Sequence, residues 1–138
     1  MIRPTYETSA DLSNEFKLAR YAEVAWECQL RKQDKFNQFD YIAIRNNRVK
    51  AFIEMRTRNV LSSAYPTCFI SVNKLQAAQS MNLATGLPCL FLVKWDDAIG
   101  YADMLKKYRV SVGGRVDRND AADIEAVGEI PISEFKMI

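Results

Sequence analysis

The chain contains no histidine, only three cysteines, and no long apolar run. Each shortage closes off a class of chemistry. Without histidine there is no Ser-His-Asp triad, no Cys-His dyad and no HExxH zinc site. Cys28, Cys68 and Cys89 lie far apart in apolar segments and make no CxxC pair. An odd count so placed predicts buried thiols rather than a disulfide framework or a zinc ribbon. No apolar stretch approaches the ~20 residues that cross a bilayer as a helix, so no membrane partner is expected. The opening Met1–Tyr6 is not followed by an apolar segment, so no secretory leader is expected and the expected location is the cytoplasm. Internal repeats and low-complexity tracts are missing too.

What remains is a chain of 138 residues, 49% of them apolar, enough for a core without metal or disulfide staples. One domain over residues 1–138 is expected, with a core at about 11–112 and an acidic C-terminal extension at 113–138. The net charge of +2 hides an uneven distribution. Residues 1–116 hold 17 Lys/Arg and 11 Asp/Glu, a net of +6, whereas residues 117–138 hold 2 and 6, a net of −4. A basic body is compatible with binding phosphate. Catalysis, if present, must run on carboxylates, lysine, arginine or tyrosine, and carboxylates favour hard cations such as Mg²⁺.

Apolar spacing predicts a helix from Asp11 to about Lys32, with Phe16, Ala19, Trp26 and Leu30 on its buried stripe. Glu23 falls in the middle of that stripe, and a charge on a buried face is an informative exception. Residues 38–45 and 49–57 predict two strands of a hairpin turning at Asn46-Asn47, since asparagine tolerates positive φ. Thr67–Val72 predicts a third strand. Asn73, with Gln76 three residues on in a capping-box pattern, predicts a helix start. Gly86-Leu87-Pro88 predicts its end after Thr85. Residues 89–95 are apolar on both faces, which marks a covered central strand reached by a parallel crossover. Ile99–Leu105 and Arg109–Val112 predict edge strands, and Ile130–Phe135 a short strand or turn. The order α-β-β-β-α-β predicts a mixed α/β fold with helices against a central sheet.

Asp40 and Glu54 lie on the two hairpin strands. Opposed residues of an antiparallel pair share a face. A two-residue turn at Asn46-Asn47 would pair Arg45 with Arg48 and send the two carboxylates to opposite faces. A three-residue loop or a bulge would set Asp40 opposite Glu54. Facing carboxylates destabilise a hairpin unless a cation neutralises them. Arg56, two residues after Glu54, leaves the strand on the same face. Such a set suits metal-assisted hydrolysis of a phosphodiester. The simpler alternative is a solvated pair, with Arg56 neutralising Glu54.

Three segments carry a family resemblance: Ala22-Glu23-Val24-Ala25-Trp26, Phe39-Asp40-Tyr41-Ile42-Ala43 and Phe52-Ile53-Glu54-Met55-Arg56-Thr57-Arg58. In order, spacing and apolar framing they resemble the PD-(D/E)XK nuclease superfamily, in the branch that holds archaeal Holliday junction resolvases and related small bacterial nucleases, and the tail, Gly113-Gly114-Arg115-Val116-Asp117-Arg118 to Ile130-Pro131-Ile132, resembles phage-encoded members of the fold. The resemblance covers roughly residues 15–105. It implies a restriction-endonuclease-like αβββαβ core with a mixed central sheet flanked by helices, followed by a short irregular C-terminal extension. It implies a nuclease acting on nucleic acid, DNA in the first instance, with Mg²⁺ or Mn²⁺ held by Asp40, Glu54, the Met55 carbonyl and Glu23, and with a possible homodimer. The family's catalytic lysine falls at Arg56, which keeps the charge but is never deprotonated. Lys74, in the first turn of the second helix, is either the residue that stands in or an ordinary solvated helix lysine. Arg45, Arg48 and Arg58 are expected to contact the nucleic acid, the alternative being a solvated sheet face or edge protection. The alternative is a catalytically degenerate nuclease fold acting in nucleic-acid binding or as a structural component.

Overall fold

The computed structural model describes residues 9–34, 37–114 and 124–138. It begins with helix α1, Ser9–Trp26. Helix α1 stops six residues short of the expected end. Glu27 takes a left-handed φ of 52° and the Cys28 N–H returns to the Glu23 carbonyl at 3.2 Å, a closing turn that frees the chain to reverse. Gln29–Lys32 is therefore strand β1, with Leu30 buried opposite Ala43. The buried face of α1 is also rotated from the expected stripe. Leu18, Ala19 and Ala22 are buried, whereas Phe16 is 56% exposed with the Arg20 guanidinium 4.8 Å from its ring.

The hairpin is β2, Tyr41–Arg45, and β3, Arg48–Thr57. Strand β4, Thr67–Ser71, leads into helix α2, Val72–Thr85. Its cap is Ser71 rather than Asn73: the Ser71 hydroxyl accepts from the Asn73 N–H at 3.2 Å. Gly86, at φ 73°, ends it as expected, with its N–H on the Asn82 carbonyl at 2.7 Å. Then come β5, Cys89–Lys94, β6, Ile99–Asp103, β7, Arg109–Gly114, and β8, Ile124–Pro131. A 3₁₀ turn, Ile132–Glu134, and β9, Lys136–Met137, close the chain.

A six-stranded mixed sheet runs β1-β2-β3-β5-β6-β9, with β3 and β5 parallel and the other neighbours antiparallel. A second, antiparallel sheet runs β4-β8-β7. Two expectations are corrected here. The parallel partner of β5 is β3, while β4 leaves the main sheet to pair with β8. The C-terminal part is regular rather than irregular wherever it is described, because β8 is the middle strand of the second sheet and β9 extends the first. The remainder of the acidic extension, residues 115–123, lies outside the described residues.

Strand β5 has both faces covered, as its unbroken apolar run implies. Phe91 and Val93 join Cys68, Ile70, Ala78 and Ile130 in one core, and Leu92 joins Leu18, Ala22 and Ile53 in the other. The two cores thus hold α1 on one side of the main sheet and α2 with the second sheet on the other. Among the described residues no helix is long and apolar enough to cross a membrane.

Candidate metal centre and its lysine

The hairpin supplies the register that the carboxylate pair requires, by a bulge rather than a longer loop. Asn46 and Asn47 have φ of 54° and 60°, the pair of left-handed residues that a two-residue type I′ turn needs. Arg45 accordingly pairs with Arg48, and Ile44 with Val49. The next pair is Ala43 with Ala51, so Lys50 is an extra residue on β3. The bulge restores the register, which continues through Ile42↔Phe52 and Tyr41↔Ile53 and sets Asp40 level with Glu54.

Asp40 is fixed by its own backbone and by its neighbour strand. Its N–H donates to the Ile53 carbonyl at 3.1 Å, and its Oδ2 accepts the Met55 N–H at 2.9 Å. Glu54 is the one buried charged residue among the described side chains, 6% exposed. Burial, then the charge of Asp40 and a hydrogen bond shared with it, push the Glu54 carboxyl up to about 8, against the opposing pull of Lys74. Lys74 Nζ stands 2.8 Å from Glu54 Oε1. Lys74 therefore meets that buried oxygen both as a charge and as a hydrogen-bond donor. Placement of Lys74 follows from the Ser71 cap, which puts residue 74 in the first turn of α2, directly after β4.

Beside the pair a cleft of about 250 Å³ is lined by Asp40, Met55, Arg56, Thr57 and Asn59 from the hairpin side and by Asn14, Glu15 and Leu18 from α1. Arg56 is exposed at its edge. Glu15 is the helix carboxylate that reaches this cleft, with Lys32 Nζ 3.0 and 3.1 Å from its two oxygens. Its signal was in the sequence: Glu15, Leu18, Ala19, Ala22 and Trp26 follow helical spacing as regularly as the stripe through Phe16.

Glu23 is not gathered with the pair. Its Oε2 accepts the Leu30 N–H at 2.7 Å and its Oε1 meets Arg20 Nε at 3.0 Å, so it clamps α1 to β1. Among the described residues no group of three or more metal-ligating side chains forms. Arg45 is likewise occupied: its guanidinium donates to the Trp26 and Glu27 carbonyls at the end of α1. Arg48 stands at the turn, six residues along β3 from Glu54 and so roughly 20 Å away. Arg58 is nearer, half-buried one residue beyond the end of β3, its N–H on the Lys94 carbonyl at 2.8 Å.

The family model described as "Phage putative PDDEXK endonuclease" matches residues 1–138. The chain belongs to this family. Among solved structures, this PD-(D/E)XK protein is similar to Archaeoglobus fulgidus Hjc, a Holliday junction resolvase from an archaeal hyperthermophile. The two share 14% identity and a TM-score of 0.58, over 91% of this chain and 92% of that one. That likeness establishes the restriction-endonuclease-like fold and nothing finer. No curated protein matches the sequence.

Nucleases of the PD-(D/E)XK class generally use divalent metal ions. The residues present fit one. Two adjacent carboxylates, one of them buried and with an elevated pKa, are a donor set for a hard cation with oxygen ligands. The Met55 carbonyl is carried by the same residue whose N–H orients Asp40.

Proposed function

We propose that this PD-(D/E)XK protein is an endonuclease that hydrolyses phosphodiester bonds in DNA, with Mg²⁺ or Mn²⁺ held by Asp40, Glu54 and the Met55 carbonyl. The observation that carries the reading is the buried Glu54 carboxylate, set beside Asp40 and met at 2.8 Å by a lysine from a different element. When bound, the cation supplies Lewis-acid polarisation of the scissile phosphate and a more acidic attacking water.

The chain's own residues do the rest. Asp40 is oriented by the Met55 N–H, so its carboxylate is aimed without rotamer search. Lys74 favours the ionised form of Glu54 and can hold a water, or pass a proton toward the departing oxygen. It takes the part that the family pattern gives to the residue at position 56. Arg56, exposed at the cleft edge and permanently charged, holds phosphate oxygens and offsets charge that develops on them. Arg58 extends that contact along the strand, and Arg48 reaches flanking duplex from the turn. Glu23 keeps α1 in place and so positions Glu15 at the cleft. The reading includes a role in phage DNA metabolism within the host cytoplasm. It also includes a homodimer, which brings two such sites to one duplex.

The test is cleavage of duplex, branched and single-stranded DNA by the purified chain with Mg²⁺ or Mn²⁺, alongside Asp40→Asn. Metal-dependent cleavage lost in Asp40→Asn is expected. Intact substrates, together with calorimetry showing no metal binding that depends on Asp40, would sink the reading. A second reading, a DNA-binding protein with a decayed site, is favoured by arginine at position 56. Arg56→Lys separates the two: a gain of cleavage from an inactive parent marks decay, and a loss from an active parent marks Arg56 as functional.

A further inference from the structure

The loop after the site strand carries two large apolar side chains that nothing among the described residues covers. Leu61 is 54% and Tyr65 58% exposed. The loop is nonetheless firmly held. The Arg58 N–H bonds the Lys94 carbonyl at 2.8 Å, the Asp96 N–H bonds the Val60 carbonyl at 3.0 Å, and the Ile132 N–H bonds the Pro66 carbonyl at 3.0 Å. Asp97 accepts both the N–H and the hydroxyl of Ser62, each at 2.8 Å, which also holds the Asp97 carboxyl below its usual range. Apolar surface fixed in water on a pinned loop gains nothing for the fold itself and is available for contact.

Its surroundings say which contact. Leu61 and Tyr65 rim a narrow cleft that also holds Arg58, Cys68 and Trp95. Thr57 and Asn59, on either side of Arg58, line the adjoining cleft of Asp40 and Arg56. Arg58 thus lines the apolar cleft and Arg56 the cleft of the metal centre, and both guanidiniums act on the Cys68 thiol that burial pushes up. An aromatic face next to paired cations suits a nucleotide: the ring stacks on a base of any sequence while the cations take the phosphates on either side. A continuous duplex offers no free base face, so this surface distinguishes unstacked from stacked DNA.

We propose that Leu61 and Tyr65 form a stacking platform for an unpaired base next to the scissile phosphate, making DNA with a local break in stacking the preferred substrate. The inference rests on the endonuclease reading of the adjacent centre.

The experiment measures binding in Ca²⁺ to two short labelled duplexes, one fully paired and one with a single-base bulge carrying 2-aminopurine, with cleavage of both followed in Mg²⁺. The wild type is expected to bind the bulge more tightly and to quench its emission. Tyr65→Ala and Leu61→Ala are expected to weaken bulge binding about tenfold and to leave paired-duplex binding unchanged, while Tyr65→Phe keeps both. Equal binding and cleavage of the two duplexes by the wild type would overturn the platform and leave the endonuclease standing. So would alanine variants indistinguishable from wild type. Variants that lose both duplexes equally while sedimenting as a smaller species would assign the surface to self-association instead. A wild type that binds and cuts neither duplex overturns both readings.

Discussion

Glu54→Gln removes a charge from the centre while keeping its shape, and the consequence can be worked out from the structure. In the folded, metal-free chain the Glu54 carboxyl is pushed from 4.5 to about 8, by burial first and then by Asp40, with Lys74 only partly offsetting them. An acid whose pKa is higher folded than unfolded holds its proton more tightly in the folded state. Its contribution to stability is therefore fully present below pH 4.5 and is lost as pH rises through about 8. At ~1.36 kcal/mol per pH unit, that interval sets a ceiling of roughly 5 kcal/mol. A realised loss of about 2–5 kcal/mol corresponds to a fall in melting temperature of ~6–15 °C for a chain of this size. The absence of histidine makes the window clean, because no other side chain has an ordinary pKa between 5 and 8.

The assay is thermal melting in EDTA from pH 5 to 9, repeated with Mg²⁺. The wild type is expected to lose stability as pH rises, and Glu54→Gln to stay flat to pH 8, to lose only the shared contribution of the raised thiols near pH 9, and to exceed the wild type there. Mg²⁺ is expected to raise the wild-type melting temperature most above pH 8, where the carboxylate it needs is ionised, and to leave Glu54→Gln unmoved. A wild-type profile parallel to that of Glu54→Gln in EDTA refutes the burial argument. An Mg²⁺ effect identical in both refutes Glu54 as a ligand.

Lys74→Met removes the cation 2.8 Å from that carboxylate, and cleavage is expected to fall by about two to three orders of magnitude with duplex affinity nearly unchanged, by single-turnover and binding assays. Arg45→Ala is expected to cost about 1–2 kcal/mol in urea melts, since it strips two carbonyls at the end of α1 of their donor, and to leave DNA affinity intact. Gly128→Ala places a Cβ 2.6 Å from Leu75 Cδ1, and the resulting overpacking is expected to lower the urea midpoint by the equivalent of ~1–3 kcal/mol. Leu75→Val in the same chain should recover part of that loss.

Local chemistry made the main sheet legible. Two asparagines able to take positive φ mark the β2–β3 turn, the apolar run at 89–94 marks a strand covered on both faces, and Gly86 marks the end of α2. The second sheet was not legible, and the reason is range. In β4, Cys68 and Ile70 alternate inward, which announces one buried face but not the sheet it belongs to. The partner that settles it, β8, lies more than fifty residues downstream in a segment whose charges suggest a solvated tail. The end of α1 was missed for a related reason. Leu30 continues the helical spacing, and only its pairing with Ala43 across the β1–β2 ladder makes a strand the better way to bury it.

The candidate centre divides along the same line. Asp40, Glu54 and Lys74 were legible because each is tied to a local element with strong end signals. The helix carboxylate was not, because Glu15 and Glu23 sit on neighbouring stripes of one helix and the sequence alone does not choose the face. Burial of Leu18, Ala19 and Ala22 makes the choice: it turns Glu15 to the cleft and leaves Glu23 to the α1–β1 junction. The hairpin shows the same dependence most sharply. A two-residue asparagine turn by itself would separate Asp40 from Glu54, and the extra residue at Lys50 brings them level again. Face parity has a period of two, so one inserted residue decides whether two carboxylates meet or point apart. The turn is favoured by its asparagines and the pairing by the packing of Tyr41, Ala43, Ala51 and Ile53 in one core. With both ends of the hairpin fixed independently, the mismatch has to be absorbed between them, and it falls at the exposed Lys50, where an unpaired residue costs the core nothing.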